Sequence, residues 1–324
     1  MTTMVATGAP EKKYISKFPM MGTIVSLTLF EKNPDVVNDV NDYLVKMDAV
    51  FSANRDDSEL SKVNQAAGLH PVTVSRSCYE LVADALTYTN RFADSFNVLI
   101  GPLVKTWKIG FGGRQVPDDS QIDRALKLIE PGKVTLNPQD HTIFLRDRGM
   151  QLDLGAIAKG YFADRIIERL KNAGIRNAII NLGGNVQVLG DNPFSNDLYW
   201  NIGIRDPERE DGSLAAIVHT KAQTFVTSGI RERYFKANGH VYHHILSPAT
   251  GYPVNNDIIQ VTIITANSEL AEVLSTVCFF HGVAGGKAII EKTPGVEAIF
   301  INQQNQLIHT SGLIKISKGV YLNE

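Results

Sequence analysis

The sequence predicts an α+β fold, in which mixed or antiparallel sheets are flanked by helices. Amphipathic helical patterns concentrate in the first half of the 324-residue chain, whereas short β-rich runs fill most of the second half. This separation argues against a doubly wound parallel sheet, in which strands and helices alternate along the chain. A chain of this length can bury a large core, either as one domain or as two lobes.

The N-terminal half divides into a short tail and the beginning of the folded part. Residues 1–16 are polar, so we predict a flexible tail there and one folded domain over residues 17–324. The run Ile24–Phe30 is rich in β-formers and predicts a strand. Apolar residues recur with a period near 3.6 in three segments, which predicts helices over 36–51, 75–92 and 120–129.

Predicted strands dominate the chain from residue 142 onward. A long helix over 156–173 is followed by Gly174, a residue typical of the position after a helix. β-rich runs predict strands at 142–146, 178–181, 186–189, 199–204, 214–219, 225–227, 241–246 and 258–264. A last helix over 268–280 precedes two closing strands near 298–301 and 307–309.

Charge and composition exclude several classes of protein. The apolar share of 44% and the charged share of 20% are those of an ordinary folded domain. The net charge of −2 gives no reason to expect a nucleic-acid or membrane-surface partner. The chain does not begin with a basic segment followed by an apolar core, and no window approaches the ~18 apolar residues of a membrane span. We therefore predict a cytoplasmic protein.

The segment Leu152–Tyr161 combines a carboxylate, two glycines and a lysine where an apolar run becomes a helical pattern. Glycine lets backbone N–H groups approach a phosphate, lysine supplies a cation and a carboxylate can face a metal, so the segment suits a pyrophosphate ligand. Gly155 and Gly160 have the spacing that opens a Walker A loop, but Tyr161 stands where that loop requires lysine. A helix N-terminus capped by Asp153 is the structural alternative.

Further motifs follow in a fixed order. They are N-L-G-G-N at Asn181–Asn185, T-S-G-I-R-E-R at Thr227–Arg233, H-H-I-L-S-P-A-T-G-Y-P at His243–Pro253 and A-E-V-L-S-T at Ala271–Thr276. Together with D-L-G-A-I-A-K-G they resemble the signatures of the ApbE family of FAD:protein FMN transferases. The resemblance covers about residues 18–282. It implies a two-lobed domain related to the T-fold, with FAD lying between the lobes.

The resemblance implies a magnesium site. In the family pattern D-[LF]-G-[GA]-I-A-K-G, the fourth position offers its main-chain carbonyl to Mg²⁺, and here that position is Ala156. The pattern A-D-x-x-[SD]-T places aspartate and threonine four apart on one helical face. This chain has Glu272 in place of the aspartate and Thr276 as the threonine. Glutamate keeps the oxygen donors, so we expect it to bind the same ion with an altered geometry or metal preference. A solvated glutamate on an amphipathic helix is the alternative.

The resemblance also implies a catalytic base. His244 matches the family histidine that is proposed to deprotonate the attacking hydroxyl, and the unperturbed pKa of histidine, ~6.5, suits that task near neutral pH. The neighbouring His243 does not match it, and we expect a structural role for that side chain.

Contacts to FAD are implied in both halves of the chain. From the D-L-G-A-I-A-K-G motif onward, the residues that match are Asp153, Lys159, Gly183, Gly184, Ser228 and Arg231. The two glycines would let backbone amides approach the ligand, although a tight turn between strands also explains them. In the first half, Met21 of the M-G-T motif and Asn54 would lie near the dinucleotide. Many relatives have tyrosine where Asn54 stands, and its loss removes a stacking surface worth ~0.5–1.5 kcal/mol.

The activity that the resemblance implies is the Mg²⁺-dependent transfer of FMN from FAD to a threonine hydroxyl of an acceptor flavoprotein, with release of AMP. Acceptors carry a short [DS]-G-[AS]-T motif, which this chain lacks. Two alternatives remain open, namely an FAD pyrophosphatase in which water replaces the threonine, and a non-catalytic flavin-binding protein. Many relatives are exported lipoproteins, so an exported protein whose signal is missing from this sequence stays an alternative to the cytoplasmic location.

Overall fold

The computed structural model describes residues 12–20, 22–52 and 55–323 and confirms the α+β class. The helices of this part of the chain are α1 Pro34–Phe51, α2 Glu59–Gln65, α3 Arg76–Arg91, α4 Gly101–Trp107, α5 Asp119–Leu126, α6 Ala158–Asn172 and α7 Ser268–Ile290. The strands are β1 Tyr14–Met20, β2 Thr23–Leu29, β3 Val72–Thr73, β4 Val134–Asn137, β5 Thr142–Leu145, β6 Ala178–Leu182, β7 Asn185–Leu189, β8 Trp200–Arg205, β9 Leu214–Thr220, β10 Thr224–Gly229, β11 Tyr234–Ala237, β12 His240–His243, β13 Ile258–Thr265, β14 Val296–Asn302, β15 Leu307–His309, β16 Ile314–Ser317 and β17 Val320–Asn323.

An eight-stranded sheet in the order β1-β2-β6-β7-β10-β13-β14-β15 forms the centre of the fold, and all of its pairings are antiparallel. A four-stranded sheet, β16-β17-β9-β8, contains one parallel pair between β17 and β9. The strands β3, β5 and β4 form a third sheet, and β11 and β12 form a separate hairpin. The prediction of antiparallel and mixed sheets is therefore confirmed.

The hydrophobic core lies mainly between the large sheet and the helices. The apolar positions that predicted α1 are its buried positions, among them Val40, Leu44 and Met47. They belong to one cluster with the inward residues of β2 and β6 and with α3 and α6. All eight residues of β13 are buried, because α7 packs on one face of this strand and the four-stranded sheet contributes to the cluster on the other.

Helix α7 is longer than predicted, running to Ile290 instead of residue 280. By length and apolar composition it is a segment that could cross a membrane, which corrects the expectation that no such window exists. Half of that window is buried inside the protein. The helix packs against β10, β13, β14 and α6, so its apolar composition is that of a core helix. A kink at Gly282, whose φ is 71°, divides it.

The N-terminal region departs from the prediction in its details. Strand β1 begins at Tyr14, two residues before the end of the predicted tail. The first eleven residues lie outside the described part of the chain. Two short helices, α2 and α4, had no prediction, because seven residues are too few to display a full amphipathic period.

Candidate active site

The crossing of α6 and α7 brings together two predicted site residues that lie more than a hundred positions apart. At Gly160, an added Cβ would lie 2.3 Å from the carbonyl oxygen of Ser268, so only glycine allows this approach of the two helices. One residue earlier, the Nζ atom of Lys159 lies 3.8 Å from Oε1 of Glu272. The last glycine of the D-L-G-A-I-A-K-G motif, Gly160, thus allows the two helices to pack closely. This packing brings Lys159 and Glu272 together as a charge pair.

A buried hydrogen-bond network fixes the carboxylate of Glu272, which is only 4% exposed. Asn185, at the start of β7, donates from Nδ2 to Oε1 of Glu272 at 2.8 Å. Ser268 donates to Oδ1 of the same asparagine at 3.0 Å. A solvated glutamate, the alternative interpretation of Glu272, is therefore excluded by its burial.

The N-terminus of α7 is held by a side chain of α6. The two carboxylate oxygens of Asp164 accept hydrogen bonds from the backbone N–H groups of Ser268 and Glu269, at 3.1 and 3.0 Å. These groups have no partner within the helix itself, so the carboxylate satisfies them and complements the helix dipole. Glu272 lies one turn further along α7. Its position is therefore fixed relative to α6 by the two bonds to Asp164 and by the close contact at Gly160.

The predicted metal ligands offer oxygen atoms that other described residues leave open. No described residue donates a hydrogen bond to Oε2 of Glu272 or to the carbonyl of Ala156, which lies in the turn before α6. Among the described residues, Oγ1 of Thr276 has one hydrogen-bond partner, the carbonyl of Glu272 at 3.5 Å, to which it donates, so Oγ1 keeps its lone pairs. A carboxylate, a carbonyl and a hydroxyl fit a hard cation such as Mg²⁺. Among the described residues there is no group of three or more His, Cys, Asp or Glu side chains that could hold a metal.

Gly183 and Gly184 form the turn between β6 and β7, and both have positive φ angles, of 61° and 96°. An added Cβ at Gly183 would lie 2.4 Å from the hydroxyl of Thr23. The carbonyl of Gly184 accepts a hydrogen bond from the backbone of Thr227, at 3.2 Å. The tight-turn explanation of these glycines is therefore correct, and the turn leads directly into Asn185.

Ser228 belongs to the same region through α7. Its Oγ lies 2.9 Å from Oγ of Ser275, and Ser275 in turn lies 2.8 Å from the carbonyl of Glu272. A carbonyl can only accept, so Ser275 donates to Glu272 and Ser228 donates to Ser275. The hydroxyl of Ser228 is left with acceptor capacity alone.

His244 follows β12 and begins the histidine turn, residues 244–254, which is closed by a bridge between Leu246 and Pro253. Its Nδ1 lies 3.2 Å from the carbonyl of Arg233, which can only accept, so Nδ1 carries the proton and Nε2 has the free lone pair. Burial, aided by the Arg233 cation, lowers the pKa of His244 to about 4. The imidazole is therefore neutral at pH 7 and able to accept a proton at Nε2.

His243 has the structural role that was expected. It is buried, its Nδ1 accepts from the backbone of Ile245 at 3.2 Å, and its Nε2 donates to the carbonyl of Val254 at 2.7 Å. Both nitrogens are thus used within the turn. Trp107, at the end of α4, donates from Nε1 to the carbonyl of Gly251 at 2.7 Å and fastens the same turn to the N-terminal half.

Electrostatic interactions join the remaining charges of the site. Burial raises the pKa of Asp153, while the hydrogen bond from Gly155 and the charge of Arg233 oppose that rise. Loss of solvation also raises the pKa of Glu232, against the cations of Lys159 and Arg233. Asp153 does not cap α6, whose N-cap residue is Ile157. Its Oδ1 accepts from the backbone of Gly155 at 2.8 Å instead.

The remaining predicted contacts are not joined to this cluster. Arg231 is exposed and forms an ion pair with Glu208 at 2.5 Å. Met21 and Asn54 lie outside the described residues. Their proposed contacts with FAD stay predictions, as do those of Asp153, Lys159 and Ser228.

Two residues of the site were not singled out from the sequence. Asn185 orients Glu272, and Arg233 lies beside His244 and Asp153. Both stand inside motifs that the sequence displays, at the last position of N-L-G-G-N and of T-S-G-I-R-E-R. Their roles depend on contacts across the fold, which a motif by itself does not specify.

The fold and the site define the class of this protein. It is an α+β protein in which two crossing helices, a glycine turn and a histidine turn surround a cluster of carboxylates, cations and an unprotonated imidazole. The model of the ApbE family matches residues 21–300. The chain belongs to the ApbE family.

Curated relatives and solved structures agree with this assignment. The chain is 38% identical over 292 residues to a protein of Klebsiella pneumoniae (strain 342) named FAD:protein FMN transferase, and the match covers 90% of each chain. A protein of the same name from Treponema pallidum (strain Nichols) is 36% identical, over 91% of this chain and 86% of its own. The crystal structure of the ApbE protein from Thermotoga maritima superposes with a TM-score of 0.82 at 27% identity, covering 93% of this chain and 97% of that one. The apo form of the flavinyl transferase ApbE from Pseudomonas stutzeri gives a TM-score of 0.79 at 25% identity, over 93% and 95% of the two chains.

Proposed function

We propose that this protein is an FAD:protein FMN transferase, which moves FMN from FAD to a threonine hydroxyl of an acceptor flavoprotein and releases AMP. Its family and the names of its curated relatives support the activity. The observation within the structure that carries the proposal is the unprotonated Nε2 of His244, beside the cations of Arg233 and Lys159. A protein that only binds flavin has no need of such a base.

The reaction requires one bond to form and one to break. The threonine oxygen bonds to the phosphorus of the FMN half, the pyrophosphate P–O bond breaks, and AMP leaves with the bridging oxygen. Nε2 of His244 takes the hydroxyl proton, and the Nδ1–H bond to Arg233 holds the ring in the required tautomer. Lys159 and Arg233 stabilise the negative charge that develops on the phosphate oxygens.

We propose that Ala156, Glu272 and Thr276 hold Mg²⁺ in this reaction. When bound there, the ion would neutralise charge on the pyrophosphate oxygens. Asn185 keeps the carboxylate of Glu272 in place through its bond to Oε1, which leaves Oε2 for the metal. The exchange of the family aspartate for Glu272 adds one methylene and keeps the two carboxylate oxygens.

The proposed activity is tested by incubating the protein with FAD and Mg²⁺, with and without a purified acceptor flavoprotein that carries the [DS]-G-[AS]-T motif. We expect covalent flavin fluorescence on the acceptor and release of one AMP per label. AMP release without labelling would show a pyrophosphatase, and absence of both would leave a flavin-binding protein. An acceptor whose motif threonine is replaced by valine controls for the site of attachment.

The metal assignment is tested with Glu272→Gln, which preserves the shape of the side chain and removes its charge. We expect the Mg²⁺ concentration for half-maximal activity to rise by at least about tenfold, because the only carboxylate of the proposed ligand set is lost. Glu272→Asp, the family residue, should retain Mg²⁺ dependence.

Glu269→Gln is the matched control for this experiment. Glu269 lies on the same helix, but its electrostatic partners are Asp84, Asp164 and Arg165. If Glu272→Gln and Glu269→Gln respond to Mg²⁺ as the unchanged protein does, Glu272 is not a ligand.

A further inference from the structure

Two segments beside His244 carry basic side chains and no acidic ones. Residues 101–114 and 233–246 together contain five lysines and arginines and neither aspartate nor glutamate, in a chain whose net charge is −2. The five are all exposed: Lys105, Lys108, Arg114, Arg233 and Lys236. None of them forms an ion pair within 4 Å with a described residue, although ion pairs are common elsewhere on the surface. At longer range, Arg233 interacts with two carboxylates, those of Asp153 and Glu232.

The two segments are in direct contact. The guanidinium of Arg233 lies 5.6 Å from the ring centre of Phe111, and Gly110 packs so closely on the same side chain that an added Cβ would lie 2.5 Å from its Cδ. Beneath these exposed side chains, Trp107 of the first segment stacks on Tyr242 of the second, with ring centres 5.5 Å apart. We call residues 105–114 and 233–241 the basic rim. The carbonyl of Arg233 accepts hydrogen bonds from the backbone N–H and from Nδ1 of His244, at 3.1 and 3.2 Å, so a ligand seated at this end of the rim lies beside the proposed base.

The basic rim also exposes apolar side chains. Phe111 is 55% exposed, Tyr234 45% and Val241 48%. Exposed aromatic and aliphatic groups among unpaired cations are typical of a surface that binds a polypeptide of opposite charge. A small dianion needs fewer charges, and Lys159 and Arg233 in the cluster already supply them.

We propose that the basic rim docks an acidic segment of the acceptor polypeptide next to the threonine that receives FMN. The inference rests on the proposed transferase activity and names the surface on which its protein substrate binds. The rim cations other than Arg233 attract the acidic segment and orient it, and Phe111, Tyr234 and Val241 supply apolar contacts. Docking there brings the hydroxyl to Nε2 of His244.

The test uses two synthetic peptides with a central D-G-A-T sequence, one flanked on each side by three glutamates and the other by three lysines. Labelling with FMN is measured for the unchanged protein and for the double variant Lys108→Glu/Lys236→Glu. We expect the unchanged protein to prefer the glutamate-flanked peptide by about tenfold in kcat/KM, because its KM for that peptide is lower. At 0.5 M salt the ratio of the two kcat/KM values should fall towards one, since salt screens the charges. The double variant should prefer the lysine-flanked peptide.

Lys315→Glu/Lys318→Glu is the matched control, since both lysines are exposed on the β16–β17 hairpin, away from the rim. It should keep the preference of the unchanged protein. Equal use of both peptides by the unchanged protein, or a double variant that raises only the KM for FAD, would overturn the proposal.

Fluorescence polarisation of the same peptides measures docking without transfer. A protein that transfers no FMN but binds the glutamate-flanked peptide more tightly, with reversal in the double variant, would contradict the transferase and support the rim. A protein that labels both peptides equally would support the transferase and contradict the rim.

Discussion

At the scale of single residues, the environment of His244 decides its chemistry. The sequence places this histidine in a turn, and an isolated imidazole has a pKa of ~6.5. In the fold, burial comes first and the cations of Arg233 and Lys159 add to it, so the pKa falls to about 4. The side chain is therefore a weak but fully unprotonated base over the whole physiological range, oriented by the carbonyl of Arg233.

This environment predicts the pH dependence of the reaction. Because kcat/KM reports the free enzyme, its acidic limb should lie near pH 4, with little change between pH 8 and about pH 5.5. His244→Ala should lower kcat/KM by about 100-fold or more. The pH profile and the effect of His244→Ala on kcat/KM are both obtained from the rate of AMP release with the acceptor present.

The same shift affects stability. Between pH 6.5 and about 4 the unfolded chain binds a proton at His244 that the folded protein does not, so stability falls as the pH falls through that window. The loss is on the order of 2 kcal/mol, and urea denaturation of His244→Ala should lack it. The control is the replacement of an exposed histidine, His281→Ala.

For the activity, an acidic limb of kcat/KM near pH 6.5, or unchanged activity in His244→Ala, would show that another group is the base.

At the scale of secondary-structure elements, the crossing of α6 and α7 organises the site. Helix α6 contributes Lys159 and Asp164, and α7 contributes Glu272, Ser275 and Thr276. The close approach at Gly160 sets the distance between the helices, while Asp164 fixes the N-terminus of α7. The two helices therefore act as a single support for the charged groups.

The crossing predicts that Gly160→Ala is destabilising, although alanine is the better helix former by roughly 1 kcal/mol. The new Cβ would lie 2.3 Å from the carbonyl oxygen of Ser268 and 2.6 Å from Cα of Glu269, and a backbone contact cannot be relieved by rotating a side chain. We expect a loss of about 1–3 kcal/mol in urea denaturation, together with weaker Mg²⁺ dependence.

Gly132→Ala is the control for this substitution. Its nearest neighbour to an added Cβ is the flexible end of Glu130, at 3.9 Å, so the change should stay within about 0.5 kcal/mol. If Gly160→Ala were as stable as the unchanged protein, the contact between the helices would be looser than the structure indicates.

At the scale of the whole molecule, Trp107 connects distant parts of the chain. The indole is buried against Phe235, Tyr242 and Tyr252, and its Nε1 donates to Gly251 in the turn that begins at His244. A helix of the N-terminal half is thus fastened to the turn that carries the proposed base, His244. We propose that Trp107 is a positioning residue.

The two tryptophans provide a matched pair of variants. Trp107→Phe leaves the carbonyl of Gly251 without its donor, and Trp200→Phe does the same to Gly190, whose bond from Trp200 is 2.8 Å long. Each should cost about 1–3 kcal/mol of stability. Only Trp107→Phe should also lower kcat, by about three- to tenfold at unchanged KM for FAD, because of the two tryptophan bonds only that of Trp107 ends in the turn of His244. Equal kcat values for the two variants would contradict the positioning role.

The sequence by itself determined the family and the fold class, and it named the candidate site residues. Amphipathic periodicity gave α1, α3 and α5 within a few residues, because side-chain burial on one face is a local property. The motifs named His244, Lys159 and Glu272 because glycines, prolines and charges at fixed spacings survive as a readable pattern.

Only the tertiary structure decided the environment of those residues. The pairing of Lys159 with Glu272, the bond from Asn185 and the low pKa of His244 depend on contacts between segments more than eighty residues apart, or on burial that no local pattern encodes. The position of Arg233 beside His244 also arises only in the fold. The sequence pointed instead to Arg231 as the contact to FAD, and in the fold Arg231 pairs with Glu208. Spacing reveals which groups are present, whereas distance, desolvation and charge, which set their reactivity, arise when the chain folds.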